Sequence, residues 1–178
     1  MSKMPSHDNK FIIASAGSGK TTRLVDDALA QKDKKILITT FTIENFEQIN
    51  EYLVQRNGFV PENITVLTWY SFLLQHGVRP YRNLVIENKR VKSLYFDNTP
   101  QTASFTPKSN ALKYYLTESG LIYRDRVAEF VCQCNDVSGG LVISRLEKIF
   151  DYVYIDEIQD LSGYDLDFLD GLLKSAVH

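Results

Sequence analysis

Short, nearly continuous apolar runs alternate along the chain with stretches whose apolar residues recur every three or four positions. Residues 11–13, 35–41 and 64–68 are runs of the first kind and predict buried strands. Between them, Leu24, Val25, Ala28 and Leu29 share one face over residues 21–31, and Phe46, Ile49, Tyr52 and Leu53 share one face over residues 44–56. Both patterns predict helices, and the pair Asn57-Gly58 tolerates the left-handed backbone that ends the second. A short helix is expected over 70–76, stopped near Gly77 and Pro80. The order strand-helix-strand-helix-strand-helix predicts an α/β fold: a parallel sheet, right-handed crossovers and helices on both faces.

The rhythm then breaks. Residues 84–86 and 91–96 are apolar and flank Glu87-Asn88-Lys89-Arg90, which predicts a hairpin, while Thr99-Pro100 and Thr106-Pro107 read as loop. Helical spacing returns over 108–118, 125–134 and 141–150, the last after Gly139-Gly140. The expected organisation is a core over residues 1–80, a small inserted subdomain over 81–123, and a return to the core over 124–178.

The 178 residues, 44% hydrophobic and 12% aromatic, are enough for a real core. The formal net charge of −2 supplies no global basic field, so any nucleic acid would have to be held by a local groove. Cys132 and Cys134 lack a second cysteine pair or a histidine cluster and read as reduced thiols on a helix. The polar start lacks the apolar segment of a secretory signal, and no apolar run reaches membrane-spanning length. The expectation is a cytoplasmic protein with no membrane partner.

The apolar run at 11–13 leads into Ala14-Ser15-Ala16-Gly17-Ser18-Gly19-Lys20-Thr21-Thr22, followed at once by a helical pattern. Small residues let backbone amides wrap a polyphosphate, and the positive end of the next helix faces the same anion. Lys20 reaches the β- and γ-phosphates, and the Thr21 hydroxyl ligates the Mg²⁺ that rides on them. The stretch is a Walker A loop with Ala14 where the pattern asks for glycine. Downstream, the apolar residues 152–155 end in Asp156-Glu157-Ile158-Gln159-Asp160. A carboxylate at the carboxyl end of a parallel strand lies where ligands bind in such sheets. Asp156 is expected to hold Mg²⁺ as the Walker B acid, Glu157 to deprotonate the attacking water, and Gln159 to sense the γ-phosphate.

Together the loop 14–21 and the acids 156–160 resemble the UvrD/Rep/RecB-type helicases of superfamily 1. Residues 36–42, a strand followed by Thr40-Phe41-Thr42, are similar to that family's motif Ia. Residues 66–72 are similar to its Thr-Phe-His-Ser-Phe segment, with Tyr70 in place of the histidine. The resemblance spans about residues 11–173 and is weak between 79 and 122. It implies the amino-terminal RecA-like P-loop NTPase core of a DNA helicase, with ATP and Mg²⁺ as cofactors. It implies that Thr40, Phe41, Thr42, Trp69 and Tyr70 lie near single-stranded DNA (RNA is left open), where aromatic faces stack on bases. For Phe41 and Trp69 a place as core aromatics is the stronger expectation. Arg23 is placed beside the nucleotide, or equally in solvent on the first helix. The family's upstream Gln-containing segment, which reads adenine, has no counterpart in residues 1–10. The resemblance also implies a second RecA-like domain with arginine fingers, which residues 1–178 do not include, so weak hydrolysis is expected of this chain alone. The rival reading is a stand-alone P-loop NTPase switch or scaffold. A small-molecule kinase would need an Arg-rich lid, and no such segment is present.

Overall fold

The computed structural model describes residues 9–12, 19–96 and 106–177. The chain divides into two compact units. One comprises Met1–Trp69, Arg145–Leu161 and Asp170–His178, the other Tyr70–Ser144 and Ser162–Leu169. The chain passes between the units after residues 69, 144, 161 and 169.

The first unit is a parallel sheet with helices. Strands β1 (Ile36–Thr40), β2 (Ile64–Thr68) and β5 (Tyr152–Ile155) lie in the order β2-β1-β5, all parallel. Ile36 stands opposite both Ile64 and Tyr152, so β1 is central and every one of its residues is buried. Helices α1 (Lys20–Ala30) and α2 (Ile43–Asn57) close one face. Val25 and Ala28 of α1 and Ile49 and Leu53 of α2 pack there with Ile36, Ile38 and Ile64, flanked by Val66, Tyr152 and Tyr154. These are alternate positions of each strand, as the two-residue side-chain period requires. The mixed α/β fold with a parallel sheet agrees with the sequence pattern.

The expected opening strand is not found at Phe11 and Ile12. Both are exposed, at 65% and 36%, and belong to no ladder; Ile13 lies outside the described residues. Three apolar residues are a weak strand signal, and the flanking Asn9 and Lys10 are held elsewhere. Asn9 Nδ2 donates to the Leu173 carbonyl at 3.0 Å, and Lys10 pairs with Asp27 at 3.6 Å.

In the second unit the helix expected to stop at Gly77 runs on. Helix α3 (Trp69–Phe72) passes into a π turn at Leu73–Val78, then α4 (Arg79–Tyr81) and a 3₁₀ turn at Arg82–Leu84. Pro80 is tolerated because the hydrogen-bond register changes just before it, where Arg79 N–H donates to the Leu74 carbonyl. Gly77 is required by contact: a Cβ there would lie 2.5 Å from a Val131 methyl. Val131 belongs to α6 (Val127–Val137), which follows a 3₁₀ turn at Arg124–Arg126. Helix α7 covers Leu141–Ile149 and α8 covers Tyr164–Leu173.

The expected hairpin of 84–86 with 91–96 does not form. Strand β3 (Leu94–Tyr95) instead pairs in parallel with β4 (Ile122–Tyr123). The helix expected over 108–118 shortens to α5 (Ala111–Tyr115), capped by Asn110, because Leu116 turns extended and bridges to Ile122. The turn that permits this is local: Leu121 N–H donates to Thr117 Oγ1 at 3.1 Å, and Thr117 N–H to the Leu121 carbonyl at 2.9 Å. The cysteines are both on α6, as expected, and burial pushes both thiols up to about 12, so neither is a ready nucleophile.

Candidate phosphate and metal site

Gly19 caps α1 with φ 80, a left-handed conformation that glycine adopts without steric cost, and Arg23 N–H closes the first turn on its carbonyl at 2.9 Å. Lys20 and Thr21 are therefore the first two residues of the helix, at its positive end. The loop residues Ala14, Ser15, Ala16, Gly17 and Ser18, expected to wrap phosphate, lie outside the described residues. Thr22 is half-buried and Arg23 is exposed.

Strand β5 delivers the acids. Asp156 N–H donates to the Thr39 carbonyl at 2.8 Å, which extends the β1–β5 ladder by one residue and fixes the carboxylate at the carboxyl edge of the sheet. Its side chain is 5% exposed. Thr21 Oγ1 donates to Asp156 Oδ2 at 3.2 Å, joining two residues 135 apart in sequence. Asp156 Oδ1 accepts the Glu157 N–H at 3.2 Å. Burial pushes the Asp156 carboxyl above its usual range; the Thr21 hydroxyl, the Glu157 N–H and the Lys20 charge oppose that rise, and the Glu157 charge adds to it.

Glu157 is left-handed, with φ 58 and ψ 45. An L-residue with a Cβ pays about 1–2 kcal/mol for that conformation. Such strain clusters at functional positions, and here it turns the chain sharply straight after the strand. Gln159 Nε2 donates to Glu157 Oε2, so the expected metal ligand Asp156 is turned toward α1 while the expected catalytic pair Glu157 and Gln159 hold each other.

The donor set fits Mg²⁺ carried on a nucleotide. Mg²⁺ takes hard oxygens and keeps most of its ligands as water and phosphate, with one or two protein groups. A buried carboxylate with a hydroxyl on it supplies those groups, and a cation there would offset the desolvation that raises the Asp156 pKa. No cluster of three or more His, Cys, Asp or Glu side chains occurs among the described residues, so the arrangement is unlike an all-protein metal cage.

The expected nucleic-acid residues do not form one surface. Thr40 and Trp69, which the resemblance implies lie near single-stranded DNA, are fully buried. Thr40 ends the central strand, covered on both faces. Trp69 packs against Phe41, ring centroids 6.1 Å apart at 23°, and presents no open face for a base. Phe41 is partly exposed. Thr42 is exposed, and its hydroxyl caps α2 by accepting the Asn45 N–H at 3.1 Å. Tyr70 belongs to the second unit, where it lines a cavity of about 230 Å³ with Arg124, Asp125, Ala128 and Asp165. Burial, then Asp165, pushes its hydroxyl above the usual range.

Sequence reasoning missed the role of position in the sheet. Thr39 Oγ1 and Thr40 Oγ1 are both buried and have no hydrogen-bond partner among the described residues. Counting alternate residues along β1 and β5 would have placed Thr40 beside Asp156. The left-handed Glu157 had no sequence signal.

No helix among the described residues is long and apolar enough to cross a membrane. No protein-family model matches the chain, and no curated protein matches it.

Proposed function

We propose that the chain is an ATP- and Mg²⁺-binding P-loop domain of the UvrD-like superfamily 1 type, its RecA-like core coupling ATP hydrolysis to movement along single-stranded DNA together with a second RecA-like domain. The observation that carries the reading is the Thr21–Asp156 hydrogen bond. A hydroxyl at the start of a helix and a buried carboxylate at the end of a strand meet although 135 residues separate them, which is the pairing a nucleotide-borne cation requires.

Each residue then has a role. Lys20, at the helix start, neutralises phosphate charge. Thr21 and Asp156 hold the cation, whose chemistry is to draw electron density from the phosphate oxygens. Glu157 accepts a proton from the attacking water, and the Gln159 amide, bonded to the same carboxylate, fixes its orientation and links it to the following turn.

The test is calorimetric titration of Mg²⁺ with ATP or GTP into wild type, Lys20→Ala and Thr21→Ala. Metal-dependent ATP binding that each substitution weakens at least about tenfold is expected. Equal binding by wild type and Lys20→Ala would sink the reading.

The burial of Thr40 and Trp69 favours a second reading, a P-loop NTPase that acts as a switch without gripping nucleic acid. Hydrolysis stimulated by single-stranded DNA would eliminate it.

A further inference from the structure

Three residues form a row across the carboxyl edge of the sheet. In the parallel register Thr40 stands opposite Thr68 of β2, and Thr39 opposite Ile155 of β5, so the next residue pair is Thr40 with Asp156. Paired residues on neighbouring parallel strands share a face and lie about 4.8 Å apart. That face is the one covered by α1. Ile36 and Ile38, two and four positions before Thr40, pack with Val25 and Ala28, and Tyr154, two before Asp156, flanks the same cluster. Asp156 confirms the assignment through its bond from Thr21 of α1. Thr40 is thus next to the carboxylate, on the side of the sheet where α1 begins, fully buried, with a hydroxyl that has no partner among the described residues. Thr39, the preceding residue, points to the opposite face and is equally buried and equally unpartnered. Leaving such a group unpaired forfeits its hydration without return, so a buried hydroxyl beside a candidate metal site calls for an occupant.

We propose that Thr40 is a positioning residue of the phosphate and metal site, its hydroxyl hydrogen-bonding a water of the divalent cation held by Thr21 and Asp156. The inference rests on the nucleotide-site reading above and gives Thr40, which the resemblance implies lies near single-stranded DNA, a different role. A side chain with zero exposure is out of reach of a strand of nucleic acid.

The pair Thr39 and Thr40 supplies its own control, because valine matches threonine in shape and removes only the hydroxyl. The experiment is calorimetric titration of ATP with Mg²⁺, and of ATP with EDTA, into wild type, Thr40→Val, Thr40→Ser and Thr39→Val, with thermal unfolding of each protein free of ligand. Thr40→Val is expected to weaken Mg²⁺-ATP binding about tenfold, to leave EDTA-ATP binding unchanged, and to melt no lower than wild type. Thr40→Ser is expected to recover most of the loss, and Thr39→Val to bind like wild type. Wild-type binding matched by Thr40→Val overturns this inference alone. Equal losses in Thr39→Val and Thr40→Val, or a loss in Thr40→Val that is the same with EDTA, also overturn it, since either marks a general effect on the core. A wild type without Mg²⁺-dependent binding overturns the nucleotide-site reading itself, and this inference with it.

Discussion

Strand β5 is bracketed by two aspartates. Asp151 precedes it at the amino edge of the sheet, and Asp156 follows it at the carboxyl edge. Asp151 is partly exposed and works as a clamp. Its Oδ2 accepts the Lys35 N–H at 2.9 Å, its Oδ1 accepts from Lys34 Nζ at 3.1 Å, and its own N–H donates to the Lys35 carbonyl at 2.8 Å. The Lys35 amide and then the Lys34 ammonium hold its carboxyl below the usual range. Asp156 is buried, and burial pushes its carboxyl the other way. The same side chain on one strand is thus stabilised as an anion at one end and penalised as an anion at the other. Both carboxylates accept two hydrogen bonds, but only that of Asp156 is held where burial disfavours its charge, the setting in which perturbed groups are candidates for function.

Breaking Asp156 should give the largest effect. Asp156→Asn is expected to lower Mg²⁺-ATP affinity by more than tenfold on the order set by a charge-assisted contact, while ligand-free thermal stability holds or rises. A fall in stability together with unchanged binding would make Asp156 a second clamp and erase the contrast. At the other end the expectation reverses. Asp151→Asn should cost about 1 kcal/mol in urea unfolding at neutral pH and leave nucleotide affinity unchanged. The pH dependence follows from the depressed carboxyl. Its contribution is full above the ordinary carboxylate range and disappears as pH falls through the lowered folded value, so wild type and Asp151→Asn should converge in acid. A gap that persists below that range would show that the clamp does not depend on charge. The smallest effect is expected next door: Glu157→Gly should raise stability by about 1 kcal/mol or less by relieving the left-handed backbone, and abolish hydrolysis. A lower melting temperature would mean that the Gln159 contact outweighs the strain.

The legible parts of the molecule are those where local pattern and tertiary position agree. Strands β1, β2 and β5 were readable because each is a short, nearly continuous apolar run, and α2 ends at Gly58 with φ 85 as Asn57-Gly58 implied. The pairing of β3 was not readable. A hairpin rule looks for the nearest apolar run, whereas Leu94 finds Ile122 across a stretch of sequence that has no pattern to announce it. Pro80 misled for a related reason: its missing donor costs nothing where a π turn has already shifted the register. At the site, Lys20, Thr21 and Asp156 were visible as residue types at motif positions. Thr40 was visible too, but its full burial in the central strand was not, because a resemblance in sequence does not report which residues that strand buries.

The order of strands has a kinetic consequence. Lys35 and Asp151, which join the central strand to β5, are 116 residues apart, and Thr21 and Asp156 are further still. Closing a loop of that length comes late for a folding chain, after β1, α2 and β2 have had the chance to assemble from near neighbours. The aspartate of the proposed cation site follows the last of the three strands in chain order. On the proposed reading, Mg²⁺-dependent nucleotide binding during refolding is expected to appear only when β5 docks.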